Sequence, residues 1–313
     1  MKFPFRLATL FAVSVMLGGA GDAQSPDWSL RSGKQGPDIR VHSDLVVLHV
    51  AVTDRQSRFV PGLAQAEFKV YEDGVPQTIS FFSHEDHPAT VGLVIDNSGS
   101  MRSKRAEVIG AAQTLVRASN PRDELFIINF NEGVWTGLPP DMPFTSDADI
   151  LAHALSNTQA RGKTALYDAV ARALDHLDLG VSSRRVLVVV SDGGDNSSST
   201  PREQLMERAR RGDAVVYSIG LFDKDLNDRD PDVLKQLSAA TGGECFLPAN
   251  VREAGRILAR IAQDIRHTYT IGYVPTNATR DGRYRKVRVT LESAQPRGKL
   301  NVRARSGYQA PSE

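Results

Sequence analysis

The sequence predicts an α/β fold in which a doubly wound, mostly parallel sheet is inserted in a β-sandwich. Two continuous apolar runs of strand length, Val91–Ile95 and Val186–Val190, are typical of strands buried on both faces of a parallel sheet. Strand-like and helix-like segments alternate throughout residues 89–266, which indicates a doubly wound sheet. The flanking regions contain short segments that alternate apolar and polar side chains, as half-buried antiparallel strands do.

The first residues have the pattern of a secretory signal peptide. Met1–Arg6 carries two basic side chains, and the apolar run Leu7–Leu17 is too short to cross a bilayer. Small residues follow, and we expect cleavage after Ala23, which assigns residues 1–23 to the signal peptide and 24–43 to a polar leader. An uncleaved anchor is the alternative. No later apolar run is long enough to span a membrane, so we expect no transmembrane helix in the mature chain and a secreted, periplasmic or cell-envelope protein.

Residues 44–88 are predicted to form a few antiparallel β-strands. Leu45–Thr53 is strongly β-prone, and the segments Phe68–Gly74 and Val75–Phe82 alternate around an Asp73-Gly74 hairpin turn. So few strands are hard to stabilise alone. We therefore expect them to form one sandwich with strands predicted within residues 267–309, at 268–274, 284–291 and 300–305. Six basic residues concentrate in and beside these last strands: Arg283, Arg285, Lys286, Arg288, Arg303 and Arg305. They favour a basic, solvated sheet face, with a binding surface as the alternative.

Within residues 89–266 the elements follow in order. Strands are predicted at 123–130, 134–137, 185–191, 214–220 and 244–247, and helices at 102–119, 147–156, 165–176, 231–240 and 252–266. A further helix is expected to begin at Thr200 as N-cap, with Pro201 in its first turn and Glu203 completing a capping box.

Oxygen-bearing side chains follow the first buried strand. Asp96, Ser98 and Ser100 come where that strand ends and a helix is about to begin, and ligands of open α/β sheets bind outside the carboxyl ends of the strands. Such residues are commonly only a turn and a helix N-cap. Two further junctions favour a site: Thr164 precedes a helix, and Asp192 ends the second buried strand. Hard cations prefer oxygen ligands. Asp195 and Asn196 follow and offer either extra acceptors or ordinary loop polarity.

In this order and at these separations, the residues resemble the metal-ion-dependent adhesion site of von Willebrand factor type A domains. The resemblance covers residues 89–266, and the overall layout also resembles exported bacterial von Willebrand A-related proteins. It implies a divalent cation, Mg²⁺ or alternatively Mn²⁺ or Ca²⁺, bound directly by the hydroxyls of Ser98 and Ser100. Thr164 would join directly or through water, and Asp96 and Asp192 would act mainly through waters and hydrogen bonds. The remaining ligand would be an Asp or Glu carboxylate of a bound protein.

Composition excludes several other classes. The net charge of +1 gives no support for nucleic-acid binding. The single cysteine, Cys245, permits no intramolecular disulfide and no cysteine-based zinc site. A hydrolase that uses Asp96 as nucleophile lacks the second acid of an Asp-x-Asp pair, because Ser98 stands there, and no histidine lies in a catalytic motif. We therefore expect an exported, cation-dependent protein-binding module without catalytic activity. The alternatives are a structural envelope protein, whose metal only orders its loops, and, less favoured, a metal-dependent hydrolase.

Overall fold

The computed structural model describes residues 45–192, 194–222, 230–292 and 299–312. The predicted signal peptide and leader lie outside these ranges. Among the helices described, none is both long enough and apolar enough to cross a membrane.

Strands of the N-terminal part precede an alternating central domain, and strands of the C-terminal part follow it. The first group is β1 (Val46–Thr53), β2 (Phe68–Glu72), β3 (Val75–Gln77) and β4 (Ile79–Ser83). The central domain comprises β5 (Thr90–Asp96), α1 (Arg105–Ala118), β6 (Glu124–Phe130), β7 (Val134–Thr136), α2 (Ala148–Ser156), α3 (Leu166–Leu177), β8 (Arg185–Ser191), α4 (Arg202–Arg211), β9 (Val215–Gly220), α5 (Pro231–Thr241), β10 (Cys245–Phe246) and α6 (Ala254–Arg266). The last group is β11 (Tyr269–Tyr273), β12 (Tyr284–Leu291), β13 (Asn301–Arg303) and β14 (Gly307–Gln309).

The central sheet has the order β10-β9-β8-β5-β6-β7, and only β7 among these strands runs antiparallel to its neighbour. All residues of β5 are buried, as its continuous apolar run predicts. Its Gly92 allows close packing, because a Cβ there would lie 2.3 Å from the Phe126 ring. β5 and β8 pair in parallel from Thr90↔Arg185 to Ile95↔Val190, so their carboxyl ends lie side by side.

The flanking strands form a sandwich that neither end of the chain completes alone. One sheet has the order β13-β1-β11-β4 and the other β14-β12-β2-β3, so both mix N-terminal and C-terminal strands. They enclose a separate core that includes Leu48, Phe68, Tyr269 and Ile271. The predicted fold class, a doubly wound sheet inserted in a sandwich, is therefore confirmed.

Two local predictions were wrong. The segment Val75–Phe82 is not one strand, because it divides at Thr78 into β3, which pairs with β2, and β4, which pairs with β11 of the other sheet. Thr200 is not the N-cap of α4; the cap position falls at Pro201, which provides no side-chain cap. The backbone N–H of Thr200 instead donates to Asp168 at 2.8 Å, so the loop before α4 is bound to α3.

The predicted solvated basic face is also wrong for two of its arginines. Arg285 is only 5 % exposed and pairs with Asp281 at 2.8 Å. Arg303 of β13 reaches the central domain, where its Nη2 lies 2.7 Å from Asp264 of α6 and its Nη1 pairs with Glu244. Alternation alone does not show that a charged strand face packs against another domain. The pairs of Arg303 with Asp264 and Glu244 join the sandwich to the central domain.

Replacing Arg303 by methionine should lower the free energy of unfolding by about 3 kcal/mol, because Asp264 would be left buried without its cation. Urea unfolding of the parent and the variant measures the difference. Arg283→Met is the matched control, since the Arg283 side chain is 81 % exposed and its loss should change stability little. Equal effects of the two substitutions would contradict an interdomain role for the Arg303 pairs.

Candidate metal centre

Asp96 ends β5 with both of its carboxylate oxygens accepting hydrogen bonds. Oδ1 accepts from the backbone N–H of Ser98 at 2.8 Å, and Oδ2 accepts from the hydroxyl of Ser191 on β8 at 2.6 Å. Burial raises the pKa of Asp96 to about 6; the two serines lower it, and the negative charge of Asp192 raises it further. This carboxylate therefore ties the loop after β5 to the neighbouring strand, rather than facing solvent with free oxygens.

The hydroxyls of Ser98 and Ser100 lie 3.1 Å apart. A 3-10 turn over Gly99–Met101 sets this spacing, closed by the Met101 N–H donating to the Ser98 carbonyl at 3.1 Å. Met101 is 1 % exposed and anchors the turn in the core. Adjacent ligands of an octahedral Mg²⁺ are about 3 Å apart when each lies about 2.1 Å from the ion. The two hydroxyls therefore have the separation of neighbouring ligands.

Thr164 is held by a different loop. Its backbone N–H donates to the Asn196 side chain at 2.9 Å, and its carbonyl accepts from the Asn196 N–H at 3.0 Å. Gly162 has a φ of +76°, and a Cβ there would overlap the Glu132 side chain, so the approach to Thr164 requires glycine. Asn196 thus positions Thr164, while Asp195 accepts from the Tyr167 N–H at 2.9 Å at the start of α3.

Asp192 lies at the carboxyl end of β8. Its Oδ2 is buried and accepts no hydrogen bond from the described residues. This oxygen forms an ion pair with Lys104, whose Nζ lies 3.6 Å away, with both side chains less than a tenth exposed. Sequence reasoning missed Lys104, because a lysine just before a helix is ordinarily a solvated residue.

Direct contacts connect the three loops that carry the predicted residues. The Gly99 N–H donates to the Gly162 carbonyl at 3.1 Å, which joins the serine loop to the Thr164 loop. Asn196 joins the Thr164 loop to the segment after β8, and Ser191 joins β8 to Asp96. Asp96, Ser98, Thr164 and Asp192 are buried and Ser100 is half-buried, so the five lie in one partly enclosed set of loops at the carboxyl edge of the sheet.

The donor set fits a hard dication. Within the ranges described, no three His, Cys, Asp or Glu side chains group as metal ligands. The hydroxyls of Ser98, Ser100 and Thr164 are oxygen donors of the kind that such an ion takes, and they would hold it, with the Asp192 carboxylate acting through water.

Residues 91–194 match the sequence model of the von Willebrand factor type A domain. This part of the chain is a von Willebrand factor type A domain. The match ends just beyond Asp192 and includes every predicted site residue. It confirms the family resemblance found in the sequence.

Three solved structures are similar to parts of this chain. A von Willebrand factor type A protein from Catenulispora acidiphila has a TM-score of 0.52 and 14 % identity, over 87 % of this chain and 74 % of that chain. The similarity of this protein shows the fold alone. Because it covers 87 % of this chain, it includes residues outside the type A domain. The type A domain of the type V pilus tip protein Mfa5 from Porphyromonas gingivalis has a TM-score of 0.47 and 13 % identity, over 57 % of this chain and 95 % of that chain. Proximal thread matrix protein 1 from the mussel byssus, whose metal-ion-dependent adhesion site holds zinc, has a TM-score of 0.46 and 14 % identity, over 58 % of this chain and 48 % of that chain. No curated protein sequence matches this chain.

The raised pKa of Asp96 predicts a pH dependence of stability in the metal-free protein. The folded state favours the protonated carboxyl of Asp96, and this preference stabilises the fold. The stabilisation is fully present below the ordinary pKa of 3.8 and is lost as the pH rises through about 6. Asp96→Asn removes the titration. Relative to that variant, the parent should lose roughly 1 kcal/mol of unfolding free energy between pH 5 and pH 8.

Urea unfolding in chelator at several pH values measures this difference. Asp178→Asn is the control, because the Asp178 side chain is 69 % exposed. A pH-independent difference between parent and Asp96→Asn would show that the buried carboxyl does not titrate as described.

Proposed function

We propose that the protein is an exported, divalent-cation-dependent interaction module that captures an Asp or Glu carboxylate of a partner protein. The observation that carries the proposal is the pair of serine hydroxyls held 3.1 Å apart at the carboxyl edge of the sheet, where β8 is followed by Asp192.

Each site residue has a distinct role in this proposal. Ser98 and Ser100 bind the cation directly, and Thr164 binds it directly or through water. Asp96, whose oxygens are already engaged by Ser98 and Ser191, holds the loop. Asp192 accepts from a metal-bound water. The cation is Mg²⁺, with Mn²⁺ or Ca²⁺ as alternatives, because all three take oxygen ligands.

A partner carboxylate follows from the charge of the ligands. Hydroxyl oxygens are neutral, so they leave most of the dication's charge uncompensated. When bound, the cation would supply a strong electrophile at the sheet edge. A carboxylate is the protein group that best satisfies such a hard cation.

The two alternative functions, a structural metal site and a metal-dependent hydrolase, require different roles of the same residues. A structural role for the metal requires only that it order the loops. A hydrolase would require Asp96 to attack a substrate, yet both Asp96 oxygens accept hydrogen bonds and the residue is 3 % exposed. This observation favours a binding function over catalysis.

Metal binding is tested by calorimetric titration of the chelator-stripped protein with Mg²⁺ and with Mn²⁺. The parent should bind one equivalent, and Ser98→Ala combined with Ser100→Ala should weaken binding at least tenfold because both direct ligands are lost. The matched control is Ser182→Ala, a serine that donates to the Pro88 carbonyl at the other end of β5 and β8. Unchanged affinity in the double variant would contradict the site.

Partner capture separates the binding function from the structural alternative. Immobilised parent protein is incubated with extracts of the source cell envelope, with metal or with chelator. The proposal expects retention of a protein that chelator releases, that the double serine variant does not retain, and whose binding is lost when one of its own carboxylates is replaced. Metal binding by the parent combined with chelator-insensitive or absent capture would favour the structural role.

Export is a separate part of the proposal and rests on the sequence of residues 1–23. N-terminal sequencing of the chain purified from the secreted or periplasmic fraction should begin at Gln24. A chain that retains Met1 and stays with the membrane would indicate the uncleaved anchor.

A further inference from the structure

Lys104 is a cation directed into the site rather than towards solvent. It follows the serine loop, where its N–H donates to the Met101 carbonyl at 3.0 Å, and it occupies the cap position of α1. Lysine is almost never buried unless paired, and its long side chain usually keeps the ammonium in water. Here the side chain is 7 % exposed and its Nζ lies 3.6 Å from Asp192 Oδ2.

The position is unfavourable for a lysine without the acids. A helix N-terminus carries partial positive charge, which disfavours a cation in its first turn. Burial adds a desolvation cost. The negative charge of Asp192 at 3.6 Å offsets both effects, so the ammonium stabilises a metal-free arrangement of the carboxylates.

The same ammonium changes the charge balance once metal enters. Among the described residues, ionised Asp96 and Asp192 and the charged Lys104 together carry a formal charge of −1, from two acids and one base. A dication would bring it to +1, and one partner carboxylate would then bring it to zero. Without Lys104 the corresponding charges would be −2, zero and −1. The lysine therefore makes the metal-loaded site cationic.

We propose that Lys104 is a built-in counter-ion that weakens binding of the metal alone and strengthens capture of the partner's carboxylate. This inference rests on the proposed function, because it concerns the same site. Lys104 competes with the dication for Asp192, and the repulsion between the two cations is large where water is excluded. A carboxylate relieves that repulsion. Metal and carboxylate are thus bound with positive coupling, and the coupling acts equally in both directions.

Lys104→Met removes the charge and keeps most of the length of the unbranched side chain. Calorimetric titration of the chelator-stripped variant with Mg²⁺ and with Mn²⁺ should give a dissociation constant at least tenfold lower than that of the parent. Repeating the Mn²⁺ titration in acetate, which serves as the carboxylate probe, should tighten metal binding more in the parent than in the variant.

Two further variants separate charge at this position from other effects. Lys163→Met removes the same charge from an exposed lysine beside Thr164 and should leave the metal dissociation constant within about twofold, because exposed charges are screened. Lys104→Arg keeps the charge and should retain the weaker affinity of the parent. If Lys104→Met lowers the unfolding temperature below that of the titration, Lys104→Gln replaces it, since glutamine keeps a polar end next to Asp192 and carries no charge.

The outcomes distinguish this inference from the function on which it rests. Metal binding by the parent with no tightening in Lys104→Met overturns the inference and leaves the proposed function intact. Equal tightening in Lys163→Met or in Lys104→Arg also overturns it. Absence of metal binding in the parent and in Lys104→Met overturns both. Tightening confined to the neutral variants of Lys104, with reduced coupling to acetate, supports it.

Discussion

The site depends on the parallel pairing of β5 with β8. This register brings Asp96 beside Ser191, and the 2.6 Å hydrogen bond between their side chains fixes the carboxylate at the end of one strand to the other strand. The serine turn begins directly after Asp96, and Asp192 directly follows Ser191. Because both strands are buried along their length, neither end can shift without disturbing the core. The rigidity of two apolar strands thus sets the geometry of polar loops.

The sandwich is attached away from that edge. The chain enters the central domain from β4 into the amino end of β5 and leaves it from α6 into β11, while Asp96 and Asp192 lie at the carboxyl ends of their strands. Arg184, just before β8, donates to the Ile265 carbonyl at 2.8 Å, and Arg303 pairs with Asp264 on the same helix. The sandwich therefore supports the domain without covering the loops that carry the candidate site.

Much of the fold could be predicted from the sequence because its strongest signals are local. A fully apolar run such as Val186–Val190 indicates a buried strand wherever it occurs. The division at Thr78 depends on which sheet each half joins, and the role of Thr200 depends on its contact with Asp168; both are tertiary effects that override turn and capping preferences. β14, with three residues, is too short to show a period.

For the candidate site, the order of the oxygen-bearing residues was enough to predict which three loops meet at the carboxyl edge of the sheet. It did not reveal how they are held, because Asn196, Gly162 and Lys104 act through contacts between loops distant in sequence. Lysine in particular gives no sequence signal of burial, because it is ordinarily solvated and becomes buried only where the fold supplies a partner for its ammonium.

The central claim is that serine hydroxyls bind a divalent cation directly. The most direct measurement is an anomalous difference map from crystals of the parent protein soaked in Mn²⁺, recorded at the manganese absorption edge. Direct ligation by the serines should give one strong peak about 2.2 Å from both Ser98 Oγ and Ser100 Oγ, the distance typical of a hard dication and its oxygen ligands. A peak bound directly by Asp96 and Asp192 away from the serines, or no peak at this edge of the sheet, would contradict it.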